Sequence, residues 1–360
     1  MKISKVVFPL LALLLLFSAS QAFCGGAQEE QGGEKAVKPV VLRFSEHDAP
    51  SGIRADATKL WFEEIKKQTG GQVVIEDYWS SSLFQSKEAL KGCQDGVADI
   101  VHISPAHYPK LLAAWQAYRL FPEGPDKREN INWFYEKCFE EIPELKENLE
   151  ANNVKLVFTG GGLPGSFVSS KKIVTFADIK GQKWRAGNKF DLERIENVGA
   201  IPTSVPWGDV YMAIQTGVID GCFTNLDGIR RTKMDEAGKN LLITRSLWWV
   251  QPNIYVMNLD KWNSLTKEQQ DGMMKATEIA EEFFIDLYNN EIDKIVAFQK
   301  SQGWTVNFIN DADLAAWTDP ALIEKMQAEW VVEYKELLDD PAGVLNTMSD
   351  LLEQAIAREK

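Results

Sequence analysis

The stretch that decides the fold runs from Asp178 to Asn225: DIKGQKWRAG (178–187), GAIPTSVPWGDVYMAIQTGVIDG (199–221) and CFTN (222–225). It opens on a loop and a turn at Gly181. Lys183-Trp184-Arg185-Ala186 then alternates as a strand does. Arg185 stands at a strand end, where a planar guanidinium can hold a carboxylate by two parallel hydrogen bonds. Past Pro206, a good first helical residue, Trp207, Val210, Tyr211 and Ile214 share one helical face. Gly217 stops that helix, Val218–Gly221 reads as a short strand, and Asn225 follows.

Upstream, Val40–Phe44, Val73–Tyr78 and Asp99–Ile103 read as strands. Helices over 54–69, with Ala57, Leu60, Trp61 and Ile65 inward, and over 86–95 separate them. That order predicts a parallel sheet with helices on both faces. Further helices are expected over 108–119 and 130–149, then a strand over Val154–Phe158. This strand runs into Gly160-Gly161-Gly162, a candidate hinge to a second domain. Val250–Asn258 reads as the return crossing, and 266–302 as one very long helix with Ile279, Phe283, Leu287, Ile292 and Ile295 inward. Trp304–Phe308 is a late strand, and the remainder is helical, broken at Pro320 and Pro341.

A chain of 360 residues has room for two domains. The net charge of −13 argues against nucleic acid and anionic membranes as partners. An anionic ligand would need a local positive site. Met1–Ala22 reads as a secretory signal: Lys2 and Lys5, an apolar run over 6–17, and Ser20-Gln21-Ala22 as the cleavage site. Cys24, followed by a Gly/Glu-rich tether to Lys38, offers the alternative of a lipid-anchored lipoprotein, with Phe23 departing from the usual small residue. Cys93 and Cys138 are candidates for a disulfide or for buried free thiols.

The stretch first quoted resembles the signature of the DctP family, the extracytoplasmic solute-binding proteins of tripartite ATP-independent periplasmic (TRAP) transporters. The family's G-x-K-x-R is met by Gly181, Lys183 and Arg185. Its proline is Pro206, its Y-x-A-x-Q-x-G-x-x-D-G is Tyr211 to Gly221, and Asn225 follows. Gly71, Leu83, Glu88, Gly96 and Asp99 match as well, and the resemblance extends from about Val40 to Leu265. It implies an α/β, two-lobed periplasmic-binding-protein-like fold, each lobe a sheet flanked by helices, with a long helix bridging both. It implies domain I over 39–159 plus about 250–285, domain II over 160–249 plus about 286–345, and C-terminal helices packed on the lobes. The implied function is a periplasmic receptor, not an enzyme, that closes on a small organic acid and delivers it to TRAP membrane permease subunits, with no cofactor.

The resemblance makes Arg185 the partner of the ligand's carboxylate; an intramolecular ion pair is the competing role. Asn225 is a second contact or a helix cap. Trp207 lines the cleft or belongs to the core. In SLWWVQPN, relatives place an aromatic and polar wall, so one of Trp248 and Trp249 faces the ligand, with Gln251 on the side of Trp249. From domain I the strand ends offer Glu46, His47, Ser104 and Trp79, with His102 sharing the face of Ser104. Many relatives carry a second arginine where this chain has Gly165-Ser166-Phe167. Its loss, with Phe167, Trp207 and Trp249 nearby, suggests a monocarboxylate with an apolar or aromatic body. The competing readings are a secreted metal-dependent hydrolase built on two of His47, His102 and His107 with Asp48 or Glu46, and a sensor input to a membrane receptor. No H-E-x-x-H, G-x-S-x-G or CxxC pattern supports the hydrolase.

Overall fold

From Val40 to Ile103 the chain folds as its alternation of apolar strands and one-faced helices dictates. The computed structural model describes residues 38–245, 247 and 252–360. β1 (Val40–Ser45), α1 (Ile53–Gln68), β2 (Val73–Tyr78), α2 (Ala89–Gln94) and β3 (Ile100–Ile103) follow in order. β1 lies between β2 and β3 and is parallel to both. On α1, Ala57, Trp61 and Ile65 are buried as expected.

Two expected helices change form. In place of the helix over 108–119 the chain makes two 3-10 turns, one just before it at Pro105–His107 and one at Ala114–Leu120. Every residue from Ala114 to Leu120 is buried, so no solvent face exists to support an amphipathic helix. The helix over 130–149 is two, α3 (Arg128–Glu141) and α4 (Pro143–Glu150), because Pro143 has no N–H to continue the first.

β4 (Val154–Gly160) closes the first sheet's edge, and the chain leaves it for a second sheet at β5 (Gly165–Ser169). β6 (Lys183–Arg185), α5 (Lys189–Asn197), β7 (Ile201–Thr203), α6 (Val210–Gln215), β8 (Gly221–Asn225), α7 (Leu226–Arg231), α8 (Met234–Ala237) and β9 (Asn240–Ile243) follow. The strand expected at Val218–Gly221 begins only at Gly221. Gly217 sits at positive φ, and Asp220 turns its carboxylate onto the Lys183 N–H (2.8 Å).

β10 (Asn253–Asn258) returns to the first sheet, antiparallel between β3 and β4. After α9 (Leu259–Asn263), α10 (Lys267–Ser301) runs 35 residues from a Thr266–Gln269 capping box. It bridges the lobes. Near its start Thr277 donates to the Val157 carbonyl of β4 (2.7 Å), and near its end Gln299 donates to Asp235 of α8 (3.0 Å). β11 (Thr305–Phe308) joins the second sheet. α11 (Asp311–Trp317), α12 (Pro320–Tyr334) and α13 (Pro341–Ala357) complete the chain. The final order is β2-β1-β3-β10-β4 in one sheet and β11-β9-β5-β8-β6-β7 in the other.

In α10, Ile292 and Ile295 are buried as expected, but the first half of the face differs. Phe283 is 38% exposed and Ile279 and Leu287 are only half-buried, whereas Ala276, Ala280, Phe284 and Tyr288 are buried. The helix packs on α1 and β4, and this two-sided burial shifts the stripe by one residue. Cys93, Cys138 and Cys222 are buried free thiols, so Cys93 and Cys138 do not form a disulfide. Among the described residues, no helix is long and apolar enough to cross a membrane.

Gly161 and Gly162 serve close packing. A Cβ on Gly161 would lie 2.2 Å from the Arg128 guanidinium, and one on Gly162 2.7 Å from the Asn225 amide nitrogen. Neither adopts positive φ.

Candidate functional site

The strand ends of the two sheets converge on a small cavity of about 80 Å³. From the first sheet, the segment after β1 brings His47 and Asp48, and the end of β3 brings His102 and Ser104. From the second, β6 brings Arg185, β8 brings Thr224 and Asn225, and the turn before α6 brings Trp207. Arg54, Arg119, Arg231, His107 and Asn253 complete the polar lining. All three histidines of the chain thus meet in one place. A larger cavity of about 320 Å³ lies between β4, α3 and α10 and holds none of these groups. Convergent charge from both sheets, not size, locates the site.

Arg185 is 7% exposed. Its Nε donates to the Val205 carbonyl (3.1 Å), and its guanidinium carbon lies 5.6 Å from the centroid of the Trp207 ring. Among the described residues no carboxylate pairs with it. The other arginines here do have such partners. Arg54 pairs with Asp48, Arg231 with both Asp48 (3.0 Å) and Asp227 (3.2 Å), and Arg119 with Asp191 (3.7 Å). A buried guanidinium that lines a cavity is a ready hydrogen-bond donor for an anion.

Asp48 ties the sheets together. It accepts from Arg54 on α1, from Arg231 on α7 and from the Trp207 indole (3.3 Å). Burial alone would raise its carboxyl. Arg231 and Arg54 more than offset this and hold it well below the usual range. Beneath it, Glu46 is 1% exposed. Burial pushes Glu46 up too, but His102, Arg54 and His47 together bring it down to about 2. Its Oε1 accepts from His102 Nδ1 at 2.8 Å.

Glu46, His47 and His102 each present one potential metal-ligand atom within 4.8 Å of the others. The Arg54 guanidinium lies 3.8 Å from the same Glu46 oxygen, and His102 Nδ1 is committed to it. A cation there would displace both. The donor set as arranged serves a hydrogen-bond network.

Of the residues singled out from sequence, Arg185, Asn225, Trp207, Ser104 and His47 line the cavity. Glu46 lies behind His102 and orients it. Asn225 is engaged at both amide ends, donating to Asp227 (2.6 Å) and accepting from Thr224 (3.2 Å). Trp249 and Gln251, with Trp248, lie outside the described residues. Two expectations are corrected. Phe167 is fully buried among Phe176, Trp184, Phe223 and Trp317, because the register of β5 against β8 sets it opposite Phe223. Trp79 packs on Phe44 and Phe62, its indole tied to Asp77, where the chain turns through Ser80 and Ser81 at positive φ. The described lining, apart from Ala106, Gly187 and the Trp207 ring, is therefore polar, not aromatic.

Sequence reading missed Arg54, Arg119, Arg231, Thr224 and Asn253. Only Arg231 carried a signal, as the i+4 partner of Asp227 on a helix. Arg119 sits in a 3-10 turn whose burial no periodicity announces.

Residues 44–330 match the family model described as bacterial extracellular solute-binding protein, family 7 (DctP). The C4-dicarboxylate-binding periplasmic protein DctP of Rhodobacter capsulatus is 25% identical over 310 residues, 83% of this chain and 91% of that protein. The ectoine-binding periplasmic protein TeaA of Halomonas elongata is 26% identical over 297 residues, 80% and 84% of the two. Among solved structures, a marine metagenome TRAP solute-binding protein specific for aromatic acid ligands has a TM-score of 0.76 at 21% identity, covering 89% of this chain and 99% of its own. A Bordetella pertussis receptor binding pyroglutamic acid has a TM-score of 0.75 at 20% identity, covering 86% and 100%. At such identities the structural likeness is one of fold. This chain belongs to the bacterial extracellular solute-binding proteins of family 7.

Proposed function

We propose that this protein is the extracytoplasmic receptor of a TRAP transporter, binding a small organic acid between its lobes and delivering it to the membrane permease subunits. The observation that carries the reading is Arg185, a buried guanidinium with no carboxylate partner among the described residues, facing a cavity built from both sheets. Relatives of similar length are named for carboxylate or zwitterionic solutes, which supports the ligand class. The ligand's carboxylate takes the terminal nitrogens of Arg185, while Asn225 and Trp207 position that end of the site. Contacts to both lobes favour the closed form, the form a permease can recognise.

The proposed lobes are residues 39–159 plus about 250–285 and 160–249 plus about 286–345, with the C-terminal helices packed on them. The role is binding without turnover, so acid extracted after binding is recovered unchanged. Export is proposed through the N-terminal signal, with either cleavage after Ala22 or lipidation at Cys24; intact mass of the mature protein separates the two.

The test is a thermal-shift and calorimetric screen of organic acids on the wild type and Arg185→Ala. Loss of one charge-assisted contact, about 1.5–3 kcal/mol, weakens binding roughly 10- to 150-fold. A variant that folds normally and binds as tightly as the wild type removes Arg185 from the site.

A further inference from the structure

His102 lies on β3 with 1% of its surface exposed, and its ring lines the cavity. Its Nδ1 sits 2.8 Å from Glu46 Oε1. Glu46 is ionised, and a carboxylate can only accept. The imidazole proton is therefore on Nδ1. Burial lowers the affinity of the ring for a second proton. What remains at Nε2 is a lone pair, an acceptor.

That nitrogen is buried and has no hydrogen-bond partner among the described residues. The ring cannot swing to find one. It is stacked on His47 (5.1 Å, 15°) on one side and held against Tyr255 (5.1 Å) on the other, whose hydroxyl is bound to Thr58 (3.0 Å). A buried acceptor left empty is unfavourable, so an occupant able to donate is favoured over one that can only accept.

We infer that His102 is a specificity-determining residue: its Nε2 reads a hydrogen-bond donor on the ligand, so the receptor selects acids bearing a hydroxyl or N–H over matched acids bearing only acceptors. This rests on the carboxylate being held by Arg185, and it names the second group that the acid must carry. To the expected monocarboxylate with an apolar or aromatic body this adds one requirement, a hydroxyl or N–H, in keeping with the polar described lining. Glu46 acts through His102 as a positioning residue that fixes the tautomer.

The experiment compares matched pairs by calorimetry at pH 7.5: lactate with pyruvate, 2-hydroxyisovalerate with 2-ketoisovalerate, and pyroglutamate with 5-oxotetrahydrofuran-2-carboxylate, its lactone analogue. The donor-bearing member binds about 10- to 100-fold more tightly within each pair that binds. Glu46→Gln, which no longer dictates the tautomer, narrows the ratio while Arg185 still holds both members. His102→Phe, checked for folding by circular dichroism, removes the preference by weakening the donor-bearing acid. Equal binding within the pairs on the wild type overturns the inference and leaves the Arg185 reading standing. Failure of every acid to bind overturns both.

Discussion

Asp48 and Arg231, 183 residues apart in sequence, form an ion pair at 3.0 Å that joins the segment after β1 to α7 of the other lobe. The Trp207 indole adds a second contact to the same carboxylate (3.3 Å). These contacts form a latch between the two sheets, beside the cavity. Asp48→Asn leaves Arg54 and Arg231 short of a buried counter-charge, a loss of about 3–5 kcal/mol when one partner of such a pair is removed. The expected outcome is a lower melting temperature and a larger radius of gyration in X-ray scattering without ligand. An unchanged radius and melting point would rule the latch out.

Acid weakens the folded protein around this cavity in two stages. Burial, with neighbouring cationic groups adding to it, brings His107 down to about 3 against an ordinary 6.5, so the unfolded chain takes up the proton first. Stability is fully present above pH 6.5 and falls as pH drops from there toward 3. Glu46, at about 2 against 4.5, adds a second loss between pH 4.5 and 2. Urea midpoints measured from pH 8 to 3 are expected to decline below 6.5, and His107→Gln is expected to flatten the upper part of that decline. A flat wild-type profile down to pH 4.5 contradicts the assignment.

Gly162 fixes the position of Asn225. A methyl at Gly162 would stand 2.7 Å from the Asn225 amide nitrogen, and overpacking of this kind costs about 1–3 kcal/mol. Gly162→Ala is expected to lower both the melting temperature and ligand affinity. Gly208→Ala, with nothing within 4 Å, serves as the neutral control. If the two variants behave alike, close packing at Gly162 is not the reason for the glycine.

The long helix offers a test of register. Phe284 is 1% exposed and Phe283 38%. Phe284→Ala is expected to cost about 3–5 kcal/mol. Phe283→Ala, more than a third exposed, should cost less, about 1 kcal/mol. Chemical denaturation of the two variants reads the difference directly, and a larger loss at Phe283 would place the helix in the register first expected from its sequence.

The sequence by itself determined the alternation of strands and helices, the glycine-marked crossing after β4, the single long helix and Arg185 at a strand end. These are local: period 2 or 3.6, a cap, a breaker, and a motif of fixed spacing. It did not determine which face of β5 is core, so Phe167, which looked like a cleft wall, belongs with Phe223 and Trp317. Nor did it bring Asp48 to Arg231 and Trp207, or Arg119 to the cavity, since those meetings depend on how two sheets built from interleaved segments close on each other. The tautomer of His102 is of the same kind. Its proton is placed by Glu46, 56 residues away, and only the fold sets the two 2.8 Å apart.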